Sequence, residues 1–206
     1  MLDLSEDRID VGGRTFVVLR PANAEALIDE DAFTQDEFLP YWAEVWPSGI
    51  ALARYVSGLD VAGKRVLELG CGLALPSLAA AAAGADVLAT DWSADALELV
   101  RRNADANHVR LRTALVRWDA AIAVEPDQFD LVLAADLLYE ARNVEPLLAL
   151  LPSLIRPRGV VVIADPGRQQ ALHALAEARA RGWEIETVAM PEIPRGGIYR
   201  LTSNVV

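Results

Sequence analysis

From residue 64 onward, short apolar runs at 65–69, 86–90, 111–118, 129–135 and 159–164 alternate with longer stretches of helical periodicity. Near-continuous apolar strands separated by helices bury both faces of a sheet, and short crossovers of this kind make its strands parallel. The intervening helices carry their own punctuation. Pro76 falls in a first helical turn and Gly84 just past the end of 75–83. Ser93 can cap a helix whose Leu97, Val100 and Ala104 share one face, and Asn143 can cap another bearing Val144, Leu147, Leu148 and Leu151. Pro152 should kink or end that second helix, and Gly182 closes the last, over 168–181.

The tail changes character. Segments 183–190 and 198–202 read as strands, and only a Pro/Gly-rich connection separates them. No crossover helix fits there, so the last strand should run antiparallel. Upstream, 9–11 and 15–19 flank Gly12-Gly13 and read as a hairpin, while 22–58 reads as short helices leading into the sheet. The expectation is therefore one domain over 1–206. Residues 1–60 would be a hairpin and helical extension, and 61–206 an α/β core, Rossmann-like and doubly wound, with helices on both faces.

Charge and composition narrow the function. Nineteen Lys+Arg against thirty Asp+Glu give a net charge of −11, which opposes non-specific binding to nucleic acid or an anionic membrane face. With Cys71 the only cysteine, an intramolecular disulfide cannot form, and the expected setting is the reducing cytoplasm. Two histidines and one cysteine do not supply a common zinc set, so no metal is expected. The start of the chain is acidic and lacks the apolar core of a secretory signal. The apolar stretch 73–89 is broken by Pro76, Gly84 and Asp86 and is no membrane span.

In an open parallel sheet, ligands sit beyond the carboxyl ends of the strands. The first core strand ends in Glu68-Leu69-Gly70-Cys71-Gly72, where two glycines let the backbone turn tightly and approach a ligand. Asp91 ends the next, nineteen residues after Gly72, where a carboxylate can accept from both hydroxyls of a ribose. Either feature alone has a plain structural reading, a strand-to-helix turn or a helix cap; together they indicate a nucleoside site. Leu75 stands where a dinucleotide fingerprint needs a small residue, and nothing beyond 159 forms a second mononucleotide half, which disfavours a nicotinamide oxidoreductase. The third strand ends in Trp118-Asp119, able to accept from an exocyclic amine, and the fourth in Ala135-Asp136-Leu137-Leu138-Tyr139.

These strand-end residues, with the Pro-interrupted 151–159 segment and the antiparallel last strand, resemble the class I, seven-β-strand methyltransferases that use S-adenosylmethionine. Tyr41-Trp42-Ala43-Glu44-Val45-Trp46-Pro47-Ser48-Gly49 and Asp136-Leu137-Leu138-Tyr139 are similar to the protein-lysine branch, which includes enzymes acting on the electron-transfer flavoprotein β subunit. Ala74 departs from the third glycine of many members, a small change in side-chain size.

The resemblance implies that Glu68 sits near the methionyl amino group, and that Gly70, Cys71 and Gly72 bring the backbone close to the cofactor. It implies Asp91 at the ribose, Trp92, Trp118 and Asp119 around the adenine, Ala135 in the pocket wall and Trp46 closing over the cofactor. Asp136 and Tyr139 would face the acceptor, a lysine on a protein such as electron-transfer flavoprotein. A small-molecule N- or O-acceptor is the alternative. A non-catalytic cofactor-binding module would need a spoiled acceptor site. The tryptophans could also serve as core aromatics, and Tyr139 could be a helix-start residue. The acid-rich stretch 21–53, which lacks Lys and Arg, reads either as a solvated face or as an attractor for a cationic acceptor.

Overall fold

The computed structural model describes residues 3–24, 27, 40–116 and 129–203. Nine strands and five α-helices are found among them. In chain order these are β1 (Leu4–Val11), β2 (Arg14–Pro21), α1 (Pro47–Ser57), β3 (Arg65–Leu69), α2 (Leu75–Ala82), β4 (Asp86–Asp91), α3 (Ala94–Ala106), β5 (Arg112–Leu115), β6 (Phe129–Ala135), α4 (Val144–Leu154), β7 (Ile155–Asp165), α5 (Gln169–Ala180), β8 (Trp183–Val188) and β9 (Gly197–Ser203). Seven strands form one sheet in the order β5-β4-β3-β6-β7-β9-β8, parallel except for β9. The expected doubly wound architecture with an antiparallel last strand is present.

The chain leaves β3 toward β4 and β5 on one side, then returns to place β6 and β7 on the other. Neighbouring β3 and β6 thus mark the point where the winding reverses, and a crevice opens beyond their carboxyl ends. The apolar strands form the middle of the core. Leu67, Leu69, Val132 and Ala134 pack with α4 and α5 on one face, and Val66, Leu131, Leu133 and Val162 with α1 on the other.

β1 and β2 extend beyond the sequence expectation and form a separate two-stranded sheet. The free edge of β2 would present unpaired backbone groups. Two asparagines one turn apart, Asn103 on α3 and Asn107 as its C-cap, satisfy them: Asn103 Oδ1 accepts from Leu19 N at 2.7 Å and Asn107 Oδ1 from Val17 N at 2.9 Å. Phe16 and Val18 then bury against Trp42, Leu73 and Leu99, which anchors the segment entering α1.

Three local expectations change. Asn143 makes no side-chain cap for α4; its amide instead donates to Leu137 O at 3.0 Å, tying α4 back to the end of β6. Pro152 lies within α4, which ends at Leu154, and Ile155 already pairs with Phe129 at the start of β7. The third core strand spans Arg112–Leu115, and Trp118 and Asp119 lie outside the described residues, as do the acids of the 25–37 stretch. Ser93 caps α3 as expected, accepting from Ala96 N. No helix among the described residues is long and apolar enough to cross a membrane.

Candidate active site

A cavity of about 980 Å³ occupies the crevice beyond β3, β4 and β6, within the size range of cofactor sites. Its floor is the turn from β3 into α2. Gly70, Gly72 and Ala74 all adopt left-handed backbone conformations, with φ of +56°, +51° and +60°. Each glycine has a packing reason as well. A Cβ at Gly70 would lie 2.4 Å from Leu137 Cδ2, and one at Gly72 3.2 Å from Trp42 O. Ala74 occupies a conformation that glycine adopts more cheaply, so the cost of alanine here is one of backbone angle rather than side-chain size.

Two buried acids hold this turn. Glu68, 1% exposed, accepts from both the backbone N–H and the hydroxyl of Ser77, at the start of α2, where helix dipole and unpaired N–H groups favour a carboxylate. Burial nevertheless dominates, and with Asp91 nearby it pushes the Glu68 carboxyl up to about 8. Asp91 is also pushed up by burial, against hydrogen bonds from backbone N–H groups. Its Oδ2 accepts from Gly72 N and its Oδ1 from Ser93 N, both at 2.9 Å, and the Trp92 N–H adds a third backbone donor. Cys71 is buried in the same wall, and burial raises its thiol well above the ordinary value, which suits a spacer rather than a nucleophile.

Aromatic rings form the rim. Trp46 donates its indole N–H to Tyr41 O at 2.8 Å, and the Tyr41 ring stands edge-to-face against both Trp46 and Tyr139, at centroid separations of 6.1 and 5.4 Å. These three and Trp92 are all partly exposed and line the cavity, so neither Trp46 nor Trp92 is a core aromatic, whereas Trp42 lines it from a buried position. Burial raises the Tyr139 phenol.

Asp136 follows β6 with φ +58°, an uncommon conformation for a residue other than glycine and a form of backbone strain concentrated at functional sites. Its N–H donates to Ala164 O at 3.0 Å, which fixes it on the sheet. Its Oδ1 accepts from Arg168 Nη1 at 2.5 Å. Burial raises its pKa although Arg168 opposes the shift.

The cavity thus brings together Trp46, Glu68, Gly70, Cys71, Gly72, Asp91, Trp92, Ala135, Asp136 and Tyr139, every described residue singled out from the sequence. Sequence reasoning missed Tyr41, Ser77 and Arg168. Tyr41 stood inside a quoted motif, whereas Arg168 was read only as the start of a helix. His108 and His173 are exposed and stand outside the cavity.

Besides Glu68, the lining carries four acids (Glu44, Asp91, Asp136, Glu140) against two bases (Arg142, Arg168), a balance suited to a ligand with net positive charge. S-Adenosylmethionine carries a sulfonium, an ammonium and one carboxylate, and the donor set fits it: a buried acid beside a glycine turn and a second acid closing the neighbouring strand. This fold and site define the class I S-adenosylmethionine-dependent methyltransferases.

Comparisons with known proteins agree. A family model described as lysine methyltransferase matches residues 33–175, and the chain belongs to that family. It is 34% identical over 179 residues to the electron transfer flavoprotein beta subunit lysine methyltransferase of Danio rerio, covering 81% of this chain and 65% of that protein. It is also 29% identical over 157 residues to the human histone-arginine methyltransferase METTL23, covering 71% and 81%. The chain thus spans just under two thirds of the length of the Danio rerio relative. Among solved structures, the Thermus thermophilus 16S rRNA N2 G1207 methyltransferase in complex with AdoMet and guanosine superposes with a TM-score of 0.70 at 16% identity, over 99% of this chain and 51% of that one, a likeness of fold.

Proposed function

We propose that this methyltransferase modifies the side-chain nitrogen of a lysine on a protein substrate, with the electron-transfer flavoprotein β subunit a candidate acceptor and the cytoplasm the setting. The observation that carries the reading is the Asp136/Tyr139 pair at the end of β6, set in an acid-rich cavity under an open aromatic rim. S-Adenosylmethionine supplies an electrophilic methyl on positively charged sulfur. Glu68, Asp91, Gly70, Cys71 and Gly72 would hold it, with Ala135, Trp92, Trp118 and Asp119 around the nucleoside and Trp46 as a cover. The protein's remaining task is alignment and exclusion of water. Asp136 would orient the acceptor nitrogen and Tyr139 would hold it by its hydroxyl.

Incubating the protein with methyl-labelled cofactor and the β subunit, followed by hydrolysis and separation of amino acids, tests this directly. Methyl-lysine in the wild type, reduced at least 10-fold in Asp136→Asn at saturating cofactor, is the expected result. If lysate incubations place the label only in methylarginine or in small molecules, the acceptor reading fails.

A further inference from the structure

Arg168 stands in the wall shared by the main cavity and a smaller one of about 370 Å³, which opens between Pro47 and the 191–195 connection. Its place is set by the backbone. Asp165, the last residue of β7 and fully buried, accepts from Gly167 N at 2.8 Å and Arg168 N at 2.7 Å through Oδ1. Its Oδ2 accepts from Arg168 Nη1 at 3.0 Å, and the same nitrogen donates to Asp136 Oδ1 at 2.5 Å. Gly167 is locked in turn: at φ +93°, a Cβ there would lie 2.4 Å from Arg195 O. One guanidinium nitrogen therefore bridges two carboxylates. Asp136 Oδ2 is left buried without a hydrogen-bond partner among the described residues; Ser48, close enough to pull the Asp136 pKa down, does not reach hydrogen-bond geometry.

This arrangement bears on a difficulty in methylating lysine. The acceptor must present a lone pair, yet a lysine amine titrates near pH ~10.4, and an unpaired carboxylate beside it would hold it as ammonium. We propose that Arg168 is a positioning residue that offsets the charge of Asp136, so that an acceptor amine beside Asp136 is not locked as ammonium. The inference rests on the lysine reading above. The proton leaves the ammonium to solvent before transfer, and the amine lone pair forms the new N–C bond as the methyl–sulfur bond breaks.

The charged groups facing this centre are few. Asp136 and Asp165 come from the strand ends, and Glu192, paired to Arg54, and Arg195 come from the 191–197 connection. Glu140 and Arg142 come from the segment after β6, while Tyr139 and Tyr199, both pushed up by burial, stay neutral. Within the bridge itself, removing Arg168 leaves two carboxylates and no cation.

Two variants and two readouts test the proposal. With saturating cofactor and the electron-transfer flavoprotein β subunit as probe, the kcat–pH profile of Arg168→Gln should move at least one unit to the alkaline side of wild type. Turnover should fall at least 10-fold at pH 7 and approach wild type near pH 10, and Arg168→Lys should restore the profile. A loss equal at all pH values, or a lysine variant that behaves as the glutamine one, overturns the proposal in favour of a purely structural role. Carboxyl ¹³C NMR of Asp136, on the protein alone, should show a higher titration midpoint in Arg168→Gln than in wild type or Arg168→Lys. Equal midpoints refute the neutralising contact whatever the acceptor. Absence of methyl-lysine from wild type, with the NMR shift present, instead refutes the lysine reading and with it the acceptor's part in this proposal.

Discussion

Replacing Glu68 by Gln isolates the electrostatic cost of keeping an acid under the cofactor turn. The Glu68 carboxyl titrates at about 8 in the folded protein against an ordinary value of 4.5. Because the folded value lies above the unfolded one, the native state retains a proton that the unfolded chain releases. The stability this group contributes is therefore fully present below about pH 4.5 and is lost as pH rises through about 8. Integrating one proton over that window gives a loss of about 2–3 kcal/mol between pH 5.5 and pH 7.5, with a plateau above the folded value. Glutamine mimics the protonated acid in shape and can still accept from Ser77 N, so it should abolish this slope while preserving the start of α2. Urea unfolding of both proteins at pH 5.5, 6.5, 7.5 and 8.5 reads the effect as a difference, in which titrating groups not coupled to Glu68 cancel. The variant should gain on wild type by about 1 kcal/mol per pH unit up to the plateau. A gap that does not vary with pH would refute the burial argument. So would a gap that widens toward acid.

Asp91→Ala removes a buried carboxylate at the end of β4, and should weaken S-adenosylhomocysteine binding by ~2–3 kcal/mol in calorimetry. Gly70→Ala places a methyl against Leu137 in a left-handed backbone and should destabilise the protein by ~2–5 kcal/mol in urea, about 1–2 from the backbone and the rest from overpacking. Tyr139→Phe should leave cofactor binding unchanged and raise the transfer barrier by ~1 kcal/mol, one neutral hydrogen bond, measured by single-turnover transfer to the β subunit.

The parts of this protein legible in the sequence are those whose physics is local. A strand buried on both faces must be apolar throughout, and a turn at φ near +55° selects glycine, so β3, β4 and β6 and the residues at their ends stand out in one dimension. The hairpin partners were illegible for the opposite reason. Asn103 and Asn107 look like ordinary polar positions on a helix, and their i, i+4 spacing gains meaning only when the edge of β2 arrives some ninety residues upstream.

Arg168 belongs to the same class, and it shows why the acceptor site proposed here is harder to read than the glycine turn. A cofactor that is the same in every member of a fold imposes fixed chemistry at fixed strand ends. The proposed acceptor pocket would be assembled from segments whose neighbourhood the sheet order creates: β6 and β7 are adjacent, so Asp136 and Asp165 end side by side, and the residue that reaches both is the arginine that opens the next helix. A lone arginine before a helix carries no signal by itself. The signal is the pairing of two acids at the ends of adjacent parallel strands, which leaves a buried excess of negative charge that a cation must offset. Read that way, Ala135-Asp136 and Ala164-Asp165, which follow one another in register across β6 and β7, require a basic residue nearby, and Arg168, three residues after Asp165, is the one within reach.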